Sequence, residues 1–199
     1  QLGAYYAYAE FAKSRGLTPT PLSAFGSKLV TDKYTGSYAT YLSSYNIAKD
    51  ELRVYYPTKD HKMTIYYTPN DLKANPGLPP TATYNSCIMD WMWKSYLCFI
   101  SGDRPLVTIK VPANSVENGG TGKTVLVVKD SFGDAFAPFL CEHYETIHVV
   151  DQRWFLSTFP GQTLQSHFKN EKIDDVIITL NIMMHDSFLS NCWKIVGVQ

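Results

Sequence analysis

A serine stands where a predicted strand meets a predicted helix, a position suited to acyl transfer. Ser131 follows Lys129 and Asp130 and precedes Gly133, within a segment that predicts strand, turn, helix and strand over residues 124–151. A serine at such a turn exposes its hydroxyl, and the amides that begin the helix can stabilise a developing oxyanion, typically by ~10²–10³ in rate per donor. The same residues, read as SFGD, match a capping box that would begin the helix without any chemistry. Both interpretations are open at this point.

Three nearly unbroken apolar runs predict the strands that position Ser131. They cover residues 124–130, 146–151 and 175–181, and helical patterns lie between them at 131–144 and 155–172. Strands of this kind are buried on both faces, and helical crossovers make them parallel neighbours. We therefore predict an α/β fold. In such sheets the chemistry collects outside the carboxyl ends of the strands.

Polar residues follow these strands at the expected edge. Arg153 could clamp an anionic sugar or orient an acyl group, or it could form a salt bridge with Asp130 or Asp151. Gly102 and Asp103, in the segment SGDRP, could form a turn near the oxyanion, or only a plain turn. The candidates for binding the oxyanion or the substrate are Gly133, Gly102, Asp103, Arg153 and Lys129.

The remaining segments predict a layer of further elements around this sheet. The pattern favours a helix over 1–16, an antiparallel hairpin of 51–57 with 62–68, a loop over 70–85, a buried helix over 86–100, a strand over 105–111 and an exposed turn over 112–123.

Length, charge and cysteine usage exclude several classes of protein. A chain of 199 residues is long enough for one domain with a full core, so we predict a single domain over residues 1–199. Acidic and basic residues number 18 each, which gives no reason to expect a nucleic-acid partner. No apolar run is long enough to span a bilayer. The four cysteines lack zinc-site spacing, and although two disulfides are possible we favour free or buried thiols. We predict neither a metal nor a cofactor.

Several segments resemble the DHHW family of bacterial secreted or surface proteins, which are SGNH-hydrolase-like and similar to alginate O-acetyltransferases. The likeness rests on VLVVKDSFGDAFAPFL, on HYETIHVVDQRWF with its Asp-x-Arg-aromatic ending, on YLCFISGDRPLVTI and on DVIITLN. It implies an SGNH-hydrolase-like parallel sheet flanked by helices, with Ser131 as the catalytic residue. It also implies export to the cell surface or beyond, and an acylated polysaccharide or small acyl ester as substrate.

The resemblance implies that the family's base is absent from this chain. In the family an Asp-x-His-Trp motif serves the serine, and QLGAYYAY resembles the stretch directly after that motif. We therefore expect the domain to lack its N-terminal part, which could also attach the protein to a membrane or cell wall. We further expect Gln1 to lie beside Ser131.

A histidine within the chain could replace the missing base. His185, followed by Asp186, comes late in the chain, at about the place where ordinary SGNH hydrolases have their His and Asp. The interpretation as a loop histidine without a catalytic role remains open. Because a serine without a base is a poor nucleophile, this chain alone is expected to be inactive. The alternative function is a non-catalytic surface protein that binds glycan.

Overall fold

A mixed six-stranded sheet forms the centre of the protein. The computed structural model describes residues 1–36, 46–92 and 96–181. The helices are α1 (Leu2–Ser14), α2 (Pro69–Ala74), α3 (Gln152–Thr158) and α4 (Leu164–His167). The strands are β1 (Gly26–Tyr34), β2 (Asp50–Tyr56), β3 (Lys62–Tyr66), β4 (Thr81–Tyr84), β5 (Leu106–Lys110), β6 (Thr124–Lys129), β7 (Thr146–Asp151) and β8 (Asp175–Thr179). Short 3₁₀ segments include Tyr96–Cys98, Ser131–Gly133 and Ala137–Glu142.

The strand order in the central sheet is β4-β3-β5-β7-β6-β8. Strand β6 pairs in parallel with both β7 and β8, and Lys129 stands opposite Asp151 on one side and Thr179 on the other. The prediction that the three apolar runs are parallel neighbours is therefore confirmed. Strand β5 runs antiparallel to β7, so the sheet as a whole is mixed.

The predicted hairpin has the right strands and the wrong partners. Strand β2 pairs with β1 in a separate two-stranded antiparallel sheet, while β3 pairs antiparallel with β4 and β5. Strand β3 lies inside the central sheet, where Met63 and Ile65 are fully buried. Both of its edges are paired there, so none is left for β2. The segment predicted as a loop over 70–85 supplies one of the two neighbours of β3, which is β4.

Two predicted helices are also wrong. The described part of 86–100 contains a single 3₁₀ turn and an isolated bridge between Ile88 and Phe99. The crossover after β6 consists of two 3₁₀ segments and no α-helix. Both segments have apolar residues at most positions, which removes the one-sided pattern that separates a helix from an irregular chain. Pro138, which has no backbone N–H, lies in the second 3₁₀ segment.

The core lies on both faces of the sheet. The larger cluster packs α1, the two-stranded sheet and the 3₁₀ crossover against one face, and the smaller cluster packs α3 and α4 against the other. Cys87, Cys98 and Cys141 are buried free thiols, whereas Cys192 lies outside the described residues. Within the described ranges, no helix has the length and apolar character that crossing a bilayer requires.

Candidate active site

The turn that carries Ser131 is fixed by the side chain of the residue before it. Asp130 is buried, and its two carboxylate oxygens accept the backbone N–H groups of Phe132 (2.9 Å) and Asn181 (2.6 Å). Asp130 is therefore the N-terminal cap of the 3₁₀ segment. The capping interpretation of Ser131 is wrong, because the carboxylate of the preceding residue, Asp130, caps the segment and leaves the serine hydroxyl unbonded among the described residues.

Ser131 faces a pocket at the carboxyl end of the sheet. Its side chain is partly exposed and forms no hydrogen bond with any residue that the structure describes. The pocket has a volume of about 380 Å³. It is lined by Tyr34, Gly36, Tyr96, Leu97, Gly102, Asp103, Ser131, Phe132 and Asp134. An unengaged hydroxyl at the wall of a pocket is the arrangement that a nucleophile requires.

Two residues that line the pocket have backbone N–H groups that form no hydrogen bond with the residues that the structure describes. Within the described ranges, the N–H groups of Ser131 and Asp103 have no hydrogen-bond acceptor. The N–H groups of the predicted candidates Gly133 and Gly102 are occupied instead, because they donate to Asp130 O (3.0 Å) and Phe99 O (2.8 Å). The available pair therefore differs from the glycines that the sequence suggested.

Both glycines shape the site by their lack of a side chain. Gly102 has φ +75°, and an added Cβ would lie 2.2 Å from Leu97 Cδ2. An added Cβ at Gly133 would lie 2.4 Å from Cβ of Lys129. Ile100 and Ser101 also have positive φ, of 46° and 67°. Three successive residues in this region hold the turn before Asp103 in a conformation that is costly for residues other than glycine.

A buried ionic cluster lies beneath the pocket. Lys129 Nζ contacts carboxylate oxygens of Asp134 at 2.6 Å, Asp103 at 3.1 Å and Asp151 at 3.2 Å. The Lys129 side chain is fully buried. Burial opposes its charge, but the attraction of the three carboxylates outweighs that cost and raises the pKa of Lys129. The lysine therefore remains charged and is saturated with partners.

The pKa of the Asp134 carboxyl lies above that of an ordinary aspartate. Burial, partly offset by Lys129 and reinforced by the charges of Asp103 and Asp151, raises the pKa of Asp134 to about 7. Its Oδ1 atom is 2.6 Å from Lys129 Nζ, yet no donor is aligned with that atom for a hydrogen bond. Three carboxylates share one ammonium group, and the carboxylate with the least favourable surroundings retains a proton up to neutral pH.

Arg153 is engaged in salt bridges. Its Nε and Nη2 atoms bind both oxygens of Asp151, at 2.9 and 2.5 Å, and Nη2 also lies 2.7 Å from Asp103. Of the two interpretations of this arginine, the structure shows the salt bridge, with Asp151 and not with Asp130. Arg153 is not among the described lining residues of the pocket and contacts Asp103, which is one of them, so it supports the pocket wall.

The histidines that the structure describes have partners away from Ser131. His61 bonds to Cys87 N and Lys59 O, and His143 bonds to the Tyr8 hydroxyl. His148 bonds to Thr108 and Glu171, and His167 to Gln162. The proposed substitute base His185 lies outside the described residues. Among the described residues, no group of three or more His, Cys, Asp or Glu side chains could hold a metal ion.

Gln1 lies beside the segment that carries the serine, as expected. Its amide nitrogen donates to Ala135 O at 3.2 Å, and Gln1 and Phe132 line one groove of about 570 Å³. The sequence interpretation missed Asp134, Tyr34 and Tyr96 as pocket residues. Asp134 carried a signal in its spacing of three from Ser131, but that spacing was interpreted as a cap. The tyrosines come from distant segments and carried no signal.

The comparisons with known proteins agree with this architecture. A model of the DHHW protein family matches residues 1–150. The structure is similar to a DHHW family protein from Eubacterium siraeum, with 25% sequence identity, a TM-score of 0.68, and coverage of 90% of this chain and 55% of that chain. No curated protein sequence matches.

Two structures of Bacillus cereus PatB1 show a similar fold. One, which carries a sulfonyl adduct, has a TM-score of 0.67 at 15% identity and covers 94% of this chain and 57% of that one. The other has a TM-score of 0.63 at 14% identity, with coverage of 94% and 58%. The chain therefore spans a little over half the length of the solved structures that it matches.

Proposed function

Because this chain belongs to the DHHW family, we propose that it forms the serine-bearing part of a bacterial SGNH-like acyl esterase or O-acetyltransferase. The substrate would be an acyl ester on a glycan. One observation carries the proposal: Ser131 has an unengaged hydroxyl at a pocket that also presents two available backbone N–H groups. A buried structural serine would have a partner, and a capping serine would bind the N–H groups that follow it.

The reaction would proceed through an acyl-enzyme. Ser131 Oγ attacks the carbonyl carbon of the ester and loses its proton to a base, and the carbonyl oxygen becomes an oxyanion. The N–H groups of Ser131 and Asp103 donate to that oxyanion. The bond to the sugar oxygen then breaks, and the sugar leaves as an alcohol after protonation. Attack by water on the acyl-Ser131 gives hydrolysis, and attack by another hydroxyl gives transfer.

The base would come from the family's Asp-x-His-Trp motif, which the 199 residues do not contain. The position of Gln1 supports this source, since a segment joined to Gln1 would begin beside the 3₁₀ turn of Ser131. His185 is the second candidate. We also propose, from the family alone, an extracellular or cell-surface location and a peripheral association with membrane or cell wall through such a segment. A leader sequence in the parent reading frame would test this location.

A covalent probe tests the proposal. We expect a fluorophosphonate to label Ser131 when the protein includes the natural segment joined to Gln1, with little labelling of the 199-residue chain alone. Mass spectrometry of the labelled peptide identifies the site. Ser131→Ala should abolish the label, while Ser157→Ala, which alters an exposed serine bonded to Trp154 O, should leave it unchanged. The PatB1 structure with a sulfonyl adduct supports the choice of a probe that reacts with nucleophiles.

The second candidate function is glycan binding without catalysis. One observation favours it: within the described residues, every histidine has its partners away from Ser131. If the protein with its natural upstream segment binds an acylated glycan but leaves Ser131 unlabelled, this candidate replaces the enzymatic one.

A further inference from the structure

The pocket in front of Ser131 combines aromatic walls with carboxylates. Tyr34, Tyr96 and Phe132 supply three rings, and Asp103 and Asp134 supply the acidic groups. Phe132 is 54% exposed, so its ring stands at the open side of the pocket. The described lining residues include no lysine, arginine or histidine. The described part of the wall therefore offers aromatic rings and carboxylates to a ligand.

Among the described residues, Lys129 and Arg153 are the cations that the carboxylates beneath the pocket hold. Lys129 is fully buried and contacts three carboxylates, while Arg153 holds Asp151 with two nitrogens and Asp103 with one of them. With every group ionised, three carboxylates face two cations, which leaves one negative charge beneath the pocket. Among the described lining residues an anionic ligand would meet this excess negative charge and no basic side chain, and burial of an unpaired anion is costly.

We propose that the Ser131 pocket prefers acyl esters that carry a cationic group over neutral ones and disfavours anionic ones, and that Asp134 sets this preference. The inference rests on the proposed acyl-transfer function and names the substrate class, an ester with an ammonium group such as that of an amino sugar. Aromatic rings attract a desolvated cation through their faces, and the excess carboxylate adds Coulomb attraction. Asp134 is the determinant because it lines the pocket and contacts only one of the two cations, whereas Asp103 and Asp151 each contact both.

A series of thioesters with the same acetyl group tests the preference. Acetylthiocholine carries a cation, 3,3-dimethylbutyl thioacetate is its neutral isostere, and 3-(acetylthio)propanoate carries an anion. We expect kcat/KM to fall in that order, by about tenfold from the cationic to the neutral ester at pH 8, which corresponds to about 1.4 kcal/mol. The assay uses the protein with its natural upstream segment. Equal rates for the first two esters, or a faster reaction of the anionic one, would overturn the proposal.

Asp134→Asn should reduce the ratio of cationic to neutral kcat/KM to nearly one. The matched control is Asp60→Asn, which makes the same change at an exposed turn beside β3, and it should retain the wild-type ratio. Phe132→Ala provides a second variant that does not disturb the buried cluster, because the ring is largely exposed. It should lower the same ratio about threefold through loss of one aromatic face. Ratios unchanged in both pocket variants would contradict the proposal.

A binding measurement separates this inference from the proposed catalysis. In Ser131→Ala, tetramethylammonium should shift the ring resonances of Tyr34 and Tyr96 saturably, and the additional Asp134→Asn change should weaken that binding about tenfold. Saturable binding without turnover of any thioester by the wild type would support the pocket's selectivity and count against the acyl-transfer function. Turnover without a charge preference would support the acyl-transfer function and count against the pocket's selectivity. The lack of a saturable shift would also count against the pocket's selectivity.

Discussion

Polar side chains lie at both ends of the parallel strands β6 and β7. The two ends differ in how many of those side chains have hydrogen-bond partners. At the amino end, the Glu142 carboxylate accepts the backbone N–H and hydroxyl of Thr58 and the hydroxyl of Thr20. Asn114 donates to Cys141 O and Tyr144 O and accepts from Lys59. We call these five residues, Thr20, Thr58, Lys59, Asn114 and Glu142, the amino-end network. Each polar group named here has a partner.

The carboxyl end has more charge and incomplete bonding. The Ser131 hydroxyl has no partner in the part of the chain that the structure describes. Among the described residues, the buried side-chain atoms without a hydrogen bond are Asp134 Oδ1 and both amide atoms of Gln152, which directly follows β7. All three atoms thus lie at the end where the pocket opens.

The difference teaches that buried charge by itself does not identify a functional site. Both ends contain a lysine bound by several oxygens, but only the carboxyl end has donors and acceptors left for a ligand. Structural networks satisfy their members, whereas a site that must bind something retains unused capacity. Measurements that treat the two ends alike can test this contrast.

The largest contrast is expected from removal of the two lysines. Lys129→Met removes the cation that three carboxylates share and leaves the buried Asp134 without one, so we expect a loss of about 3–5 kcal/mol in the free energy of unfolding, or failure to fold. Lys59→Met removes two hydrogen bonds near the surface, from Asn114 Oδ1 and Glu142 O, and should cost about 1–2 kcal/mol. Urea unfolding measures both. Similar losses in the two variants would show that the ends do not differ in this way.

The next contrast concerns the uncharged residues. Asn114→Ala should lower the free energy of unfolding by about 1–3 kcal/mol, because two buried carbonyl groups lose their donor. Ser131→Ala should change it by less than about 0.5 kcal/mol, since the hydroxyl has no described partner. Thermal and urea unfolding of both variants give the comparison. A loss above 1 kcal/mol in Ser131→Ala would assign the serine a structural role.

The smallest contrast appears in the dependence of stability on pH. The folded-state pKa of Asp134, at about 7, lies well above the ordinary value of an aspartate, so the folded protein binds this proton more tightly than the unfolded chain does. The group therefore favours folding at low pH, and its contribution is lost as the pH rises towards 7. The groups that set this equilibrium are Lys129, Asp103 and Asp151, while Tyr96 and Cys98 nearby have pKa values raised by burial and remain neutral.

Asp134→Asn removes that titration. The difference in free energy of unfolding between the variant and the wild type should move in favour of the variant from pH 5 to pH 7, by on the order of 1 kcal/mol. Urea unfolding at several pH values measures it, with the exposed Asp60→Asn as the control. A difference that stays constant over this interval would mean that Asp134 is ionised throughout, and the two ends would then be more alike than the structure indicates.

The sequence predicted the elements that a local run of apolar residues marks. It missed those whose structure depends on residues far away in the chain. Strands β6, β7 and β8 are almost unbroken apolar runs, and helical crossovers between them favour parallel neighbours. The expectation that all three are buried on both faces is wrong for β8, which lies at the sheet edge and leaves Val176 and Ile178 exposed. The partners of β2 and β3 were mispredicted because β-pairing depends on which edges are free in the whole sheet. The hydrophobic pattern failed to predict the structure of 86–100, because apolar residues stand at positions all round a helix there.

Only the part of the candidate site that lies on one continuous segment could be predicted from the sequence. Lys129, Asp130 and Ser131 are consecutive, and a serine after a buried strand is a signal in itself. The identity of the cap was not predictable, because Asp130 and Ser131 are both good caps and only their geometry separates them. The pocket walls come from Tyr34, Tyr96 and Asp103, on separate segments that the fold alone brings together.

The hydrogen bond from Asn181 N–H to Asp130 has a consequence for synthesis on the ribosome. Both strands that flank β6 follow it in the sequence, so a growing chain can pair β3, β4 and β5 well before it can enclose β6. The turn that aims the serine receives its second anchor only when residue 181 has emerged. The turn of Ser131 is therefore among the last features to be assembled, and a ribosome stalled before β8 would hold a chain with an open, apolar strand edge and no finished pocket. Such an edge is a site where chaperones and aggregation compete for the chain.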